Sequence, residues 1–316
     1  MYRSISILLG CFLLVISLMA CESKEAANAH KQVVTIGYQK NGPLVILRGL
    51  GNLEERLEPL GYQVEWREFQ TGPALTEALN ANSIDIGRTG NAPVIFAQAA
   101  GAEMVVLAAG YSKYHGSGII VHEGSEIQSL EDLKGKKVSF ARGSSSHYLP
   151  VKALDKGGLS LEDIEPAYLS PGDARVAFEQ GNIDAMVVWD PYTASTELHS
   201  NGVLLVNGEG LTTDRDFIVI TDVFMKAHPD IGEILIEELE ISLDWANNNH
   251  DELVEMLVPL LNLEENSIRR AVERRTYGVE VINTDMIVEQ QDIADIFYEL
   301  GIIPKEIDVT DIMQNE

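Results

Sequence analysis

Two stretches of this sequence, 99 positions apart, carry similar residues in the same order. Phe69, Thr71, Ala78, Leu79, Ile84 and Asp85 are matched by Tyr168, Ser170, Ala177, Phe178, Ile183 and Asp184. An offset held constant through a turn, a helical run and an apolar run points to two copies of one α/β unit. In each copy a Thr or Ser precedes a helix that has a proline in its first turn, Pro73 or Pro171, as helix entry prefers. In each copy a strand follows and ends in a polar turn that opens another helix: Thr89-Gly90-Asn91-Ala92-Pro93 in the first, Trp189-Asp190-Pro191-Tyr192 in the second. Two lobes that present equivalent loops to each other make a cleft. The alternative is a chance likeness of two amphipathic helix–strand units.

The rest of the chain fits an α/β fold with mainly parallel sheets. Apolar Val33 to Ile36 reads as a strand and Leu44 to Leu60 as a helix stopped by Gly61. Tyr62, Val64 and Trp66 then alternate with polar neighbours, as a half-buried strand does. Further strands are expected at 84–87, 104–109, 118–121, 137–141, 185–189, 203–206 and 217–221. After residue 223 the strand signals stop. The remainder reads as helices over 231–247, 251–261, 265–274 and 284–300.

Composition narrows the function. Acidic residues outnumber basic ones 49 to 23, a formal charge of -26, which argues against binding nucleic acid or an anionic membrane surface. The two cysteines, Cys11 and Cys21, stand at the extreme N-terminus, so the body has none for a thiol nucleophile, a disulfide framework or a cysteine zinc site. Residues 5–20 are a nearly unbroken apolar run behind Arg3, the layout of a secretory signal and short for a spanning helix, which needs roughly 20 apolar residues. The run ends Leu18-Met19-Ala20-Cys21, which resembles a bacterial lipobox with Cys21 as the lipidated first mature residue; a plain cleaved signal or an uncleaved anchor are the alternatives. Residues 1–20 are thus expected as signal peptide and 21–31 as a polar tether at the membrane. Removing Arg3 and no acid leaves 22 basic against 49 acidic residues, a formal -27.

In open α/β sheets ligands bind beyond the carboxyl ends of strands, where helix N-termini aim free N–H groups into the crevice. An anion is the natural guest. Gln70-Thr71-Gly72-Pro73, Thr89-Gly90-Asn91 and Arg142-Gly143-Ser144-Ser145-Ser146-His147 each supply such an entry. The last has a glycine for close backbone approach, three hydroxyl donors, and Arg142 or His147 for charge. Helix capping is the competing role for these serines.

Longer runs of residues resemble the aliphatic-sulfonate-binding proteins of ABC importers. They are 72–80, 83–87 and 89–102, with Gly37-Tyr38-Gln39-Lys40, Gly143 to His147, Tyr168 to Pro171 with Asp173-Ala174-Arg175, and Trp189-Asp190-Pro191-Tyr192. Glu273 to Gly278 and Gln290 to Asp295 continue the likeness, which runs from about Val33 to Ile307. It implies a type II periplasmic-binding-protein fold with two lobes, 32–111 plus 216–316 and 112–215, joined by crossing strands. It also implies a monomer without cofactor or metal that closes on a small organic anion and delivers it to a permease and its ATPase. The expected oxyanion contacts are Gln39, Thr71, Thr89, Gly90, Asn91, Gly143, Ser144, Ser145, Ser146 and His147, with Arg88 as an addition. Trp189, Tyr192 and Met186 are expected on the organic tail, and Asp190 as a helix cap or an orienter of donors.

Three positions depart from the family pattern: Asn91 replaces an acid, Arg88 a small or aromatic residue, and Met186 a tryptophan. The first two favour negative charge, although Arg88 also reads as a cation paired with one of the many acids. Taurine, nitrate, a sulfate ester, a phosphonate or a thiamine precursor are alternative ligands, and a sensory receptor is an alternative role. An enzyme on the same fold is disfavoured. The histidines show no metal-ligand spacing, and adjacent Ser146 and His147 at a helix start rarely face each other.

Overall fold

The computed structural model describes residues 31–40 and 42–313; Cys21 and the signal segment lie outside the described residues. Two sheets organise the chain. In the first lobe, β1 (Gln32–Tyr38), β2 (Tyr62–Glu68) and β3 (Ile86–Gly90) run parallel in the order β2-β1-β3. Strand β10 (Asp216–Thr221) then lies antiparallel between β3 and β4 (Met104–Gly110), and β11 (Val279–Glu280) closes the β4 edge. In the second lobe, β7 (Glu165–Tyr168), β6 (Lys137–Phe140) and β8 (Ala185–Trp189) are parallel, followed by antiparallel β5 (Ser117–His122) and then β9 (Gly202–Asn207). The order is the same in both lobes. In each, the antiparallel strand is the first one the chain makes after crossing from the other lobe.

Helices cover both faces of both sheets. In the first lobe α1 (Pro43–Leu50), α2 (Asn52–Leu57), α9 (Pro229–Asn248), α10 (His250–Leu261) and α11 (Glu265–Glu273) bury one face through Leu47, Leu57, Leu239, Leu253 and Ile268. The opposite face is covered by α3 (Gly72–Asn80), α4 (Asn91–Ala99) and α12 (Thr284–Glu299) through Leu75, Ile95 and Phe297. In the second lobe α5 (Ser145–Lys156) covers one face, and α6 (Pro171–Glu179) with α7 (Tyr192–His199) the other. The short α8 (Asp222–Ala227) follows β10, with Thr221 accepting the Phe224 N–H as its cap. Burying each large aliphatic side chain stabilises the lobe by about 1.5–3 kcal/mol.

The repeat is a structural one. Helices α3 and α6, and strands β3 and β8, begin and end at positions 99 apart. Asp85 takes the Thr35 N–H at 2.7 Å and returns its own N–H to the Thr35 carbonyl at 2.8 Å. Asp184 does the same to Lys137 at 2.7 and 2.9 Å. Asn82 (φ 50°) and Gly181 (φ 68°) occupy the same left-handed turn in the two copies. In both copies the aspartate of an Ile-Asp pair therefore ties the chain just ahead of β3 or β8 to its parallel neighbour, β1 at Thr35 and β6 at its first residue, Lys137.

Three expectations need correction. The helix expected over 44–60 is broken at Gly51 (φ 76°), and its last turn, Glu58–Leu60, is 3-10. Strand signals do not end at 223: β11 is a two-residue strand, too short for any periodicity to register. The edge strand β7, sequence EPAY and mostly exposed, has no apolar alternation to reveal it.

Candidate ligand-binding cleft

The carboxyl ends of β1, β3 and β8 and the starts of α3, α4 and α5 converge between the lobes. There they enclose a cleft of about 260 Å³. Gln39, just past β1, and Arg88 and Gly90 of β3 line it from the first lobe, with Gly72 and Pro93 from the helix entries. Ser144, Ser145 and Trp189 line it from the second lobe, and Lys113 and Asp214 from the two crossing segments. Those segments are tied together, the Lys113 N–H and the Ser112 hydroxyl both donating to the Thr213 carbonyl.

Close approach explains two glycines. A Cβ on Gly72 would meet the Thr89 hydroxyl and Pro93, and a Cβ on Gly90 would meet Ser145 Oγ. The second contact spans the lobes, so the cleft is closed here with β3 against the start of α5.

At the floor of the cleft five charges are buried together. Arg88 and Arg275 both donate to Asp216, Arg275 at 2.7 Å. Lys113 Nζ lies 2.7 Å from Asp214 and 3.3 Å from Asp216, and Ser117 donates to Asp214 as well. Gln39 Oε1 accepts from Arg88 at 3.3 Å. Among the described residues three basic side chains face two carboxylates here, one more basic than acidic group, in a chain whose net charge is -26. Around this group Arg274 lies 3.2 Å from Asp190 and 2.7 Å from Glu197, Arg270 lies 3.7 Å from Glu197, and Arg215 holds Glu280. Burial pulls the Lys113 ammonium down to about 7 against the pull of Asp214, and lowers both arginines from their ordinary values. An anion placed beside Lys113 relieves this cost by supplying the missing negative charge.

The comparisons with known proteins agree with this geometry. The family model for periplasmic phosphonate-binding proteins of ABC transporters matches residues 49–202. A putative aliphatic sulfonates-binding protein of Escherichia coli is 35% identical over 285 residues, 90% of this chain and 89% of that one. The chain belongs to the aliphatic-sulfonate-binding protein family. A solved member, the alkanesulfonate-binding protein SsuA from Xanthomonas axonopodis pv. citri bound to MOPS, superposes with a TM-score of 0.86 at 33% identity. That match covers 91% of this chain and all of that one. The fold extends further: a mutant of the enzyme DSZB in complex with biphenyl-2-sulfinic acid matches with a TM-score of 0.65 at 13% identity.

Within this family member the expected site residues divide. Gln39, Arg88, Gly90, Ser144, Ser145 and Trp189 meet at the cleft. Tyr192 joins Gln39, Gln70 and Trp189 in an adjoining recess. Thr89 is fully buried behind Gly72, its hydroxyl without a hydrogen bond among the described residues. Thr71 holds the position before α3 without a side-chain cap, and Gly72 lines the cleft in its place. Asn91 is occupied in fastening α4: its Oδ1 accepts from Ala92, its carbonyl from Gln290 at 2.8 Å, and its amide lies 3.5 Å from Thr212.

In the loop after β6, Ser144 donates to the Ala141 carbonyl at 2.7 Å and pairs with Ser146 at 2.8 Å; Ser146 in turn takes the Ala141 N–H. Ser145 keeps its hydroxyl at the cleft. Gly143 (φ 73°) gives its N–H to His147 Nδ1 at 3.2 Å, which leaves the proton of the neutral ring on Nε2. His147 stacks on Phe140 with Phe96 and Phe297 beside it, and burial pulls its pKa down to about 4. It is a neutral acceptor and brings no charge. Arg142 is exposed and lies over the Tyr168 ring.

Met186 is also corrected. It points to the face of β8 opposite Val187, into the core under α6 and α7 beside Phe178, and its sulfur takes a contact from Thr196 at 3.8 Å. Only the strand's last residue, Trp189, reaches the cleft. Asp190, one residue ahead of the Pro191 cap position, accepts the Ala194 N–H at 3.0 Å, and burial raises its carboxyl to about 6. Sequence reasoning missed Lys113, Asp214 and Arg275. Lys113 and Asp214 sit in no motif, and their only signal is that they lie where the chain crosses between lobes; Arg275 lies in the 273–278 run that carries the family likeness, but nothing local marks it as a cleft residue.

Proposed function

We propose that the protein is the extracytoplasmic binding component of an ABC importer, capturing an aliphatic sulfonate by closure of two lobes and delivering it to a permease and its ATPase. The observation that carries this reading is the buried surplus of one positive charge at the lobe junction. A sulfonate carries one negative charge on three oxygens, which suits one unbalanced cation and several neutral donors. Lys113 supplies the charge, Gln39 and Ser145 side-chain donors, and the entries to α3 and α5 their backbone N–H groups. Closure removes water, and each charge-assisted bond strengthens as it does so. The net charge of the chain repels an anion at a distance, but screening limits that field to about 8 Å at physiological ionic strength.

On this reading the chain is exported and anchored through lipid on Cys21, with 21–31 as tether, and acts as a monomer. Residues 32–111 with 216–316 and residues 112–215 are its two moving lobes. It binds without catalysis: no cysteine follows Cys21, and His147 is packed neutral among Phe96, Phe140 and Phe297, its Nδ1 accepting from Gly143. The test is thermal stabilisation against alkanesulfonates, taurine, sulfate, nitrate, alkylphosphonates and thiamine precursors, since a ligand of the folded state raises its stability. Stabilisation by alkanesulfonates is expected. Silence there with a response to a dianion or to a cationic precursor overturns the charge argument.

A further inference from the structure

The chain passes between the lobes twice, over 111–116 and 208–215, and each passage is anchored at both ends. On the way out, the Tyr111 N–H donates to the Gly278 carbonyl of the first lobe at 3.1 Å. The Gly116 carbonyl accepts the Asp190 N–H and the Thr193 hydroxyl of the second lobe, both at 2.8 Å. On the way back, the Gly208 N–H donates to the Ser117 carbonyl at 3.0 Å and Leu211 packs in the second-lobe core, whereas Arg215 donates to the Gly110 carbonyl of the first lobe at 3.1 Å. A rotation of one lobe on the other is taken up by the few residues left between these anchors, 112–115 and 212–214.

Thr213 lies in the middle of the return passage, and its polar groups are all engaged. Its N–H donates to the Glu289 carboxylate of α12 at 3.0 Å and its hydroxyl to the same carboxylate at 2.8 Å. Its carbonyl accepts the Lys113 N–H at 3.1 Å and the Ser112 hydroxyl at 2.8 Å. Helix α12 is seated in the first lobe by Met286, Ile293 and Phe297, so Glu289 is fixed there. The next residue along, Asp214, has φ 47°, left-handed backbone that persists where surrounding contacts hold it. Those contacts are the Thr212 hydroxyl oxygen on its N–H at 3.0 Å and Lys113 and Ser117 on its carboxylate.

We propose that Thr213 is the pivot on which the lobes close and that Glu289 sets it: the carboxylate grips both donors of Thr213 in the closed form and loses that grip as the lobes part. Glu289 is then a positioning residue for Lys113, acting through Thr213 without lining the cleft. The inference rests on the closure reading of the cleft and adds a residue outside it that governs how long the ligand stays. Two donors of one residue on one carboxylate fix its φ and ψ together, so the grip is sensitive to a rotation that a single bond would tolerate.

The test is binding kinetics with ethanesulfonate. Glu289→Ala is expected to raise the dissociation rate constant about tenfold or more, because a bond to a charged acceptor leaves the closed form, and to keep the association rate constant within about twofold. Thr213→Val keeps the N–H and should lose about three- to tenfold. Thr213→Ser keeps both donors and should stay within about twofold of wild type, a rescue that a packing role for the methyl would not give. Glu289→Ala combined with Thr213→Val should be no worse than Glu289→Ala alone. Hydrogen exchange without ligand should speed up over 208–215 in Glu289→Ala and stay unchanged in the strands of both sheets, which also shows that the variant folds. Unchanged dissociation in Glu289→Ala, a loss carried by association, or a Thr213→Ser as weak as Thr213→Val overturns the pivot and leaves the sulfonate reading standing. If no alkanesulfonate binds the wild type, the sulfonate reading falls, and the exchange comparison decides the pivot by itself. If Glu289→Ala does not fold, the contrast between Thr213→Val and Thr213→Ser decides.

Discussion

Gly90 and Ser145 face each other across the closed cleft, and their coupling can be worked out before it is measured. Gly90 has φ -84° and ψ -179°, extended backbone that alanine adopts without strain, so Gly90→Ala acts through space alone. The new Cβ would collide with Ser145 Oγ but sit at 3.4 Å from Ser145 Cβ, an ordinary contact. Rotating the serine relieves the clash and withdraws its hydroxyl from the ligand. The loss is then one hydrogen bond to a charged group, about 1.5–3 kcal/mol, or at least tenfold in affinity. Ser145→Ala loses the same bond directly. The double variant has no oxygen left to collide with, so it should bind no worse than either single one, a coupling energy equal to the whole single effect. Isothermal titration of the four proteins with one alkanesulfonate at fixed pH measures this cycle. Losses that multiply, about a hundredfold or more in the double variant, would refute both the closed contact and the role of Ser145.

Other perturbations follow from the buried charges. An anion at Lys113 favours the ammonium, which faces Arg88, Arg275, Asp214 and Asp216 and has its pKa near 7 when the cleft is empty. Affinity should therefore be full below pH 7 and fall by up to tenfold per unit above it, a dependence that Lys113→Met removes. For His147, held neutral down to about pH 4 against an ordinary 6.5, the unfolded chain binds a proton between those values that the folded chain refuses. Stability should drop by about 2 to 3 kcal/mol from pH 7 to pH 4.5 in urea titrations, and His147→Gln should lose that component. Arg274 joins Asp190 and Glu197 of the second lobe to the segment after α11. Arg274→Ala should weaken binding by roughly 10- to 100-fold through a less stable closed form, visible as a larger radius of gyration with ligand present. Equal radii for variant and wild type would count against this latch.

The fold is legible in the sequence wherever an apolar run or an apolar periodicity extends over five residues or more. Strand β8 is read to the residue because its run of Ala185 to Trp189 is apolar throughout, and the long C-terminal helices because their apolar positions recur every three or four residues. Strand β3 is read two residues early. Its buried end contains Arg88 and Thr89, polar residues that local pattern assigns to a turn and that only the lobe junction explains. The same cause hides half of the cleft. Ser145 and Trp189 belong to motifs tied to helix entries and strand ends, which sequence marks. Lys113, Asp214 and Arg275 come together from three distant segments, and nothing local in 111–116 or 208–215 says that the two run side by side. Met186 and His147 show the converse error: a residue next to a site in sequence lies one side-chain alternation, or one turn of helix, away from it in space.

The exchange of strands between the lobes also governs when the protein can form. Strand β10 sits inside the first sheet, between β3 and β4, yet its residues follow the entire second lobe in the chain. A nascent chain ending before Asp216 has β3 and β4 with their facing edges unpaired and Ile86, Val106 and Ala108 uncovered. The first lobe cannot be completed as it is synthesised, whereas every strand of the second is continuous between 117 and 207. Synthesis order and assembly order therefore run opposite to each other. Until the last third of the polypeptide arrives, the N-terminal lobe stays open-edged.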